Sequence, residues 1–127
     1  MNKLIVLKGK IERGYEGDYE QIYLVQKNGY KINIIHRLNE AIINYGTKMT
    51  IKYWYADKFV SEKIIKLNVI KKFYGILTAE YETQDWGHSE YTHGTDYNTI
   101  INIGGHNLYN ELLSLQNKFI WIEIIFN

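Results

Sequence analysis

The chain has 127 residues, of which 46% are apolar and 23% are charged. These fractions are typical of a folded globular protein and exclude the low-hydrophobicity, high-charge composition of a disordered chain. The net charge of +1 provides no overall attraction to nucleic acid or to an anionic membrane. The absence of cysteine excludes disulfide frameworks, thiolate nucleophiles and cysteine-ligated zinc.

Alternating apolar residues predict four strands in the first half of the chain, with one helix before the last of them. Asn28-Gly29 favours positive φ angles and predicts a hairpin turn between the second and third strands. The helix is predicted from Leu38 to Tyr45, where apolar residues recur three or four positions apart, and Gly46 is placed to end it. The four predicted strands are residues 3–13, 19–26, 30–34 and 48–56.

A bridging helix is predicted at about residues 61–73. Ser61 is a suitable N-cap, and Ile65, Val69 and Phe73 repeat every four residues, as on one face of a helix. Four lysines in this segment give the helix a basic side, which we interpret as a solvated face.

Two long strands and a final strand are predicted in the second half. The long pair is expected to join near Gly87, with an irregularity at Gly94. A second short helix, with Leu108 and Leu112 on its inner face, precedes the last strand. The predicted strands are residues 76–85, 89–103 and 119–126, and the last of these is apolar on both faces.

Two segments of the chain share a similar order of residues. Residues 32–42 read Ile-Asn-Ile-Ile-His-Arg-Leu-Asn-Glu-Ala-Ile, and residues 101–113 read Ile-Asn-Ile-Gly-Gly-His-Asn-Leu-Tyr-Asn-Glu-Leu-Leu. The match requires short gaps, and short amphipathic helices are built from few residue types. A coincidental similarity is therefore the alternative explanation. We predict a single α+β domain, residues 1–127, of two pseudo-repeated strand-strand-helix-strand halves (about 1–57 and 70–127). These would form a mixed, mainly antiparallel sheet or partial barrel.

Twelve tyrosines are the most distinctive feature of the composition. Tyrosine combines a large contact area with low rotamer entropy, which suits recognition surfaces, although it also fills half-buried strand positions. Nearby acidic residues would repel phosphate and favour a basic protein partner. The residues that we expect to form a binding surface are Tyr15, Tyr19, Tyr23, Tyr81, Trp86, Tyr91 and Tyr97.

The stretch from 80 to 97 also contains His88 and His93 beside several carboxylates. Imidazole and carboxylate groups suit a divalent metal or general acid/base catalysis near neutral pH. The His-x4-His spacing matches no established ligand pattern, however, and loop histidines are usually solvated. We therefore predict no metal and no cofactor, and keep these two residues as weak catalytic candidates.

Gly104-Gly105 before His106 permits the close backbone approach by which amide groups hold an anion. The alternative is a tight turn between a strand and a helix, which we favour. His36 and His106 are predicted to lie at equivalent helix starts, where the helix dipole disfavours imidazolium.

No phosphate-loop, dinucleotide-binding or nucleophile-elbow motif is present. We therefore favour a non-catalytic interaction module that binds a protein partner or itself as a homo-oligomer. An inhibitor of host machinery carried by a phage or mobile element would be one version. The alternatives are a small-ligand protein that binds a nucleotide or other anion, and a small His/carboxylate hydrolase. With only two arginines nucleic acid is not favoured, and the short apolar N-terminal run predicts no export, no membrane association and a cytoplasmic location.

Overall fold

The computed structural model describes residues 3–126. Within that range the chain forms eight strands and three helices. In chain order they are β1 (Lys3–Glu16), β2 (Tyr19–Val25), β3 (Lys31–Asn33), α1 (Ile34–Tyr45), β4 (Lys48–Ala56), α2 (Glu62–Ile65), β5 (Lys71–Ser89), β6 (Thr92–Ile103), β7 (His106–Asn107), α3 (Leu108–Leu113) and β8 (Phe119–Phe126).

The eight strands form one antiparallel sheet in the order β3-β2-β1-β8-β4-β5-β6-β7. This agrees with the expected mainly antiparallel sheet combined with short helices. The strand order has an internal symmetry. If β1, β2, β3 and β4 exchange places with β5, β6, β7 and β8 respectively, the same order results, read from the opposite edge of the sheet. The centre of the sheet is the pair β8 and β4, which are distant in sequence.

The main core lies between the inner face of the sheet and the helices α1 and α3. On β8 the inward residues are Ile120, Ile122, Ile124 and Phe126, all at most 3% exposed. Burying each such side chain stabilises the fold by about 1.5–3 kcal/mol. Because the strand is apolar on both faces, its sequence alone does not tell which face meets the main core.

Helix α1 ends at the predicted Gly46, but it begins at Ile34, before the predicted Leu38 and inside the predicted strand 30–34. The Asn33 side-chain oxygen accepts hydrogen bonds from the backbone N–H groups of Ile35 (3.1 Å) and His36 (3.2 Å), which would otherwise lack partners. Gly46 ends the helix at φ +95°, where its N–H donates to the Ile42 carbonyl.

The predicted bridging helix at 61–73 is wrong in extent. Ser61 does cap a helix, but α2 ends at Ile65, and the chain enters β5 at Lys71. Residues 71–76 pair with β4 instead, and such long-range pairing is not encoded in local periodicity. Val69, expected on a buried helical stripe, is 83% exposed.

The α2 segment nevertheless has a structural role, because it covers the outer face of the central strands. Ile65 is fully buried there against Trp54, Phe119 and Trp121. Lys66 extends this cover, since its ammonium donates to Glu123 at 2.6 Å and to Glu62 at 2.8 Å. The outer apolar residues of β8 near Trp121 are therefore covered by the chain itself.

The long hairpin of β5 and β6 differs from its prediction in two details. The strands join at residues 90 and 91, rather than near Gly87. The register irregularity lies between Gly87 and Ser89, whereas Gly94 pairs regularly with Trp86. The apolar alternation is weak in this part of the chain, so register cannot be inferred from it.

Curvature of the sheet brings β2 and β6 into contact although they are not neighbours in it. The Thr99 hydroxyl donates to the Glu20 carbonyl at 2.7 Å, and the Tyr81 hydroxyl donates to the Gln21 side-chain oxygen at 2.9 Å. These contacts fix the base of the second hairpin against the first. Among residues 3–126, no helix is long and apolar enough to cross a membrane.

Candidate functional site

Beyond its contact with β2, the β5–β6 hairpin continues as a two-stranded arm, which we define as residues 82–98. Its two strands pair only with each other, from Glu82 opposite Asn98 to the turn at residues 90 and 91. Every residue of the arm is exposed except Gly94, which is half-buried. At about 3.3 Å per residue the arm projects roughly 30 Å from its base.

The arm is part of a segment with a pronounced charge imbalance. Residues 73–117 contain six acidic residues and no lysine or arginine, so their formal charge is −6. The remainder of the chain carries all 15 basic residues and eight acidic ones, a formal charge of +7. The near-zero net charge of the chain therefore conceals an acidic region and a basic region, and the arm lies in the acidic one.

Two large aromatic side chains are displayed on the arm. Trp86 is 47% exposed and lies across Gly94 on the facing strand, where any larger side chain would collide with the indole ring. Tyr91 at the turn is 89% exposed. Exposed aromatic residues of this kind are enriched in protein interfaces, and Glu90 lies beside Tyr91 in the turn.

At the base of the arm, three of the tyrosines expected in a binding surface do come together. The Tyr19 ring lies 4.7 Å from the Tyr81 ring and 5.3 Å from the Tyr97 ring, measured between centroids, and the second pair meets edge to face. Tyr97 remains 43% exposed, whereas Tyr81 is half-buried. The cluster therefore both joins the two hairpins and leaves an aromatic edge accessible.

Within residues 3–126, neither Tyr15 nor Tyr23 makes a ring contact with these three tyrosines. Tyr15 accepts a hydrogen bond from Arg13 at 3.1 Å, and Arg13 also pairs with Glu20. Tyr23 packs over Gly14 on β1. The seven predicted residues thus divide into a basal cluster, two arm aromatics and two residues of the first hairpin.

Glu20 connects this region to α3. One of its carboxylate oxygens accepts a hydrogen bond from the Tyr109 hydroxyl, while the other accepts from Arg13. Burial, reinforced by that hydrogen bond, raises the pKa of Tyr109. Neither Glu20 nor Tyr109 was singled out from the sequence, because their pairing joins residues far apart in the chain.

His88 and His93 both lie on the arm, near the register irregularity. In the described part of the chain no group of three or more His, Asp or Glu side chains is arranged to hold a metal. The arm carboxylate Asp85 instead accepts a hydrogen bond from Thr95 at 2.8 Å. A chemical role for either histidine stays a prediction.

The Gly104-Gly105 pair forms a tight turn, with φ angles of +54° and +83°. Gly104 packs on the backbone of Gly75, and its N–H donates to the Ile76 carbonyl at 3.3 Å. His106 follows in β7, with its ring 5.2 Å from that of Phe73. An anion-binding role for this turn stays a prediction.

The expected equivalence of the two helix-start histidines is not found. Asn107, one residue after His106, caps α3, whereas Asn33 caps α1 three residues before His36. The two asparagines, and not the two histidines, occupy matching positions in the helix starts.

The structure also contains a cavity that the sequence did not predict, because it is formed by four segments that are distant in sequence. The cavity, of about 440 Å³, lies between the middle of β1, the β2–β3 turn, the segment that precedes α2 and the start of β8. Lys8 and Lys27 line it, together with Phe59 and Trp121. We refer to it as the lysine cleft.

Comparison with known proteins returned no relationship on which a function could be based. No family model matches the chain, no curated protein matches its sequence, and no solved structure matches its fold. Function must therefore be argued from the residues themselves.

Proposed function

We propose that this protein is a non-catalytic interaction module of the cytoplasm that binds a basic protein partner through its acidic, aromatic arm. The observation that carries the proposal is the exposure of residues 82–98 on both faces of a two-stranded ribbon. An isolated two-stranded hairpin is only marginally stable in water, because neither face is buried. Such a long ribbon contributes little to the core, so a partner supplies the missing contacts.

Charge and side-chain type specify the chemistry of this partner. The arm holds Glu82, Asp85, Glu90 and Asp96 without any lysine or arginine, so it repels phosphate and attracts cationic surfaces. Trp86 and Tyr91 provide apolar contact area that an arginine-rich or lysine-rich surface can cover by stacking. Electrostatic steering would accelerate association, whereas the aromatic residues would prolong the complex.

The test begins with capture of partners from cells by the full chain and reconstitution of the complex from purified components. In the arm-neutral variant, Asp85→Asn, Glu90→Gln and Asp96→Asn remove three charges with little change in shape. We expect its affinity to fall by at least about tenfold at low salt, with a smaller effect at high salt.

The matched control neutralises acidic residues outside the arm, with Glu40→Gln on α1 and Asp18→Asn in the first turn. We expect this control to bind as the unmodified protein does. Equal binding by the arm-neutral variant, or a reconstituted partner whose contact surface is acidic, would overturn the proposal.

The proposed origin of the fold is a duplication, with halves at about residues 1–57 and 70–127. The symmetric strand order supports it. A phage or mobile-element inhibitor of host machinery remains one specific version of the proposal. A small protein with an acidic arm is suited to block a basic surface of a host protein.

Self-association is a second candidate, favoured by a row of residues on the outer face of the sheet. Leu4, Ile125, Thr50 and Tyr74 lie side by side on β1, β8, β4 and β5, and Leu4 and Tyr74 are more than half exposed. Sedimentation of the Leu4→Lys variant tests it. A homo-oligomer that uses this face would dissociate, whereas an unchanged sedimentation coefficient would exclude the face.

A further inference from the structure

We infer that the lysine cleft binds a small organic anion, with its phosphate or carboxylate held by Lys8 and Lys27 and its apolar body against Phe59, beside the small part of Trp121 that lines the cavity. The cavity volume of about 440 Å³ is within the range of small-molecule sites, roughly 300–1,000 Å³. The site lies on the basic region of the chain, whereas the proposed partner-binding arm lies on the acidic one.

The two lysines supply unneutralised positive charge at the cleft. Within residues 3–126 neither lysine forms an ion pair with a carboxylate. Their ammonium groups lie instead over aromatic rings, with Lys8 4.9 Å from the Trp121 centroid and Lys27 5.8 Å from the Phe59 centroid. Each cation thus lies beside an aromatic ring that lines the cleft.

The one carboxylate in the cleft lining does not cancel this charge. Glu62 accepts a hydrogen bond from Lys66 at 2.8 Å, and Lys66 carries a second contact to Glu123. The local excess of cations therefore remains after Glu62 is counted.

The walls of the cleft are fixed before any ligand enters. The Gln26 side chain donates to the Lys8 carbonyl at 2.6 Å, which ties the β2 end to β1 across Gly9. A side chain at Gly9 would meet Gln26 at 2.9 Å, so glycine is required for this bridge. On the opposite wall the Phe59 and Phe119 rings pack with centroids 4.9 Å apart. A preformed wall reduces the entropy lost on binding.

The ligand chemistry is shared by nucleoside monophosphates and by aromatic carboxylates. Two-dimensional NMR of the full chain, titrated with AMP, indole-3-acetate, inorganic phosphate and neutral adenosine, distinguishes these sources. We expect saturable shifts at the backbone of Lys8, Lys27 and Phe59 and at the Trp121 indole N–H with AMP, with indole-3-acetate or with both. Adenosine should bind about tenfold more weakly than AMP, because it lacks the charge.

The Lys8→Gln and Lys27→Gln variants should each weaken anion binding by about tenfold, which corresponds to the loss of one charge-assisted contact. The matched control, Lys48→Gln, removes an exposed lysine of β4 outside the cleft and should leave the affinity unchanged. Absence of saturable shifts with both organic anions, or equal binding of adenosine and AMP, would overturn the inference. Equal weakening by Lys48→Gln would also overturn it, since it would indicate non-specific charge attraction.

Discussion

The Tyr81 hydroxyl donates a partly buried hydrogen bond of 2.9 Å to the Gln21 side-chain oxygen, which joins the two hairpins across 60 residues of sequence. Gln21 is fully buried, and the same oxygen also accepts from Asn33 at 3.0 Å. The base of the arm is therefore anchored by a polar contact within the fold.

Removing this contact should destabilise the protein. We expect Tyr81→Phe to lower the free energy of unfolding by about 1 kcal/mol, the usual net value of one buried hydrogen bond. Urea denaturation measures this change in the free energy of unfolding. Tyr97→Phe is the control, because the Tyr97 hydroxyl has no hydrogen-bond partner within residues 3–126, and its stability should change by less than about 0.5 kcal/mol. Equal losses would show that the contact is not stabilising.

Two neighbouring isoleucines in α2 test directly whether this segment covers the outer face of the central strands. Ile65 is fully buried against two tryptophans, whereas Ile64 is 54% exposed. We expect Ile65→Ala to cost about 2–4 kcal/mol through lost burial and a residual cavity, and Ile64→Ala to cost less than about 1 kcal/mol. Thermal and urea unfolding measure both. Similar costs would mean that the α2 segment is not packed on the sheet.

The turn before β7 should not tolerate a side chain. Gly104 has φ +54°, and a Cβ atom there would collide with the Tyr74 carbonyl. We expect Gly104→Ala to cost about 3 kcal/mol, combining the left-handed backbone penalty with the collision. Gly17→Ala is the control, since Gly17 has φ +62° but open space around it, and only the penalty of about 1 kcal/mol applies.

Stability should decline in alkaline solution because of Tyr53 and Tyr109. Burial, reinforced by hydrogen bonds to Glu111 and Glu20 respectively, raises the pKa of both phenols above the ordinary value of 10.0. The unfolded chain therefore releases these protons at lower pH than the folded chain does. Their contribution is fully present below pH 10 and falls as the pH rises from there towards the folded pKa.

The change of the free energy of unfolding with pH can be measured directly. Well above pH 10, each of the two tyrosines reduces the free energy of unfolding by up to about 1.4 kcal/mol per pH unit. Tyr53→Phe removes one such contribution, so its stability deficit relative to the unmodified protein should shrink between pH 10 and pH 11. Urea titrations at both pH values measure the deficit. A constant deficit would contradict a raised pKa for Tyr53.

Much of the fold follows from local patterns in the sequence. The alternation in β8 was sufficient to place that strand, and Gly46 was sufficient to place the end of α1. The start of α1 at Ile34, capped by Asn33, was missed because residues 30–34 alternate like a strand. The sheet order was not accessible, because the pairing of β8 with both β1 and β4 depends on contacts between distant residues. The helix predicted at 61–73 failed for the same reason, since pairing with β4 outweighed a four-residue periodicity.

The candidate sites, like the fold, could be predicted only in part from the sequence. The acidic and aromatic character of the arm is evident from the sequence alone, but its projection from the fold is not. The lysine cleft could not be predicted, because Lys8, Lys27, Phe59 and Trp121 come from separate segments that meet only in the folded chain. The charge imbalance between residues 73–117 and the rest was readable, although the net charge concealed it.

The most direct test of the account is the affinity of an arm-shortened variant for the reconstituted basic partner. Replacing residues 84–96 with Asn-Gly joins Thr83 to Tyr97, which already face each other, through a favourable hairpin turn. Calorimetry should show that the affinity for the partner falls by at least about 100-fold, because the central aromatic contacts are lost. The free energy of unfolding, measured with urea, should change by less than about 1 kcal/mol. Undiminished binding by this folded variant would contradict the central claim that the arm is the interaction element.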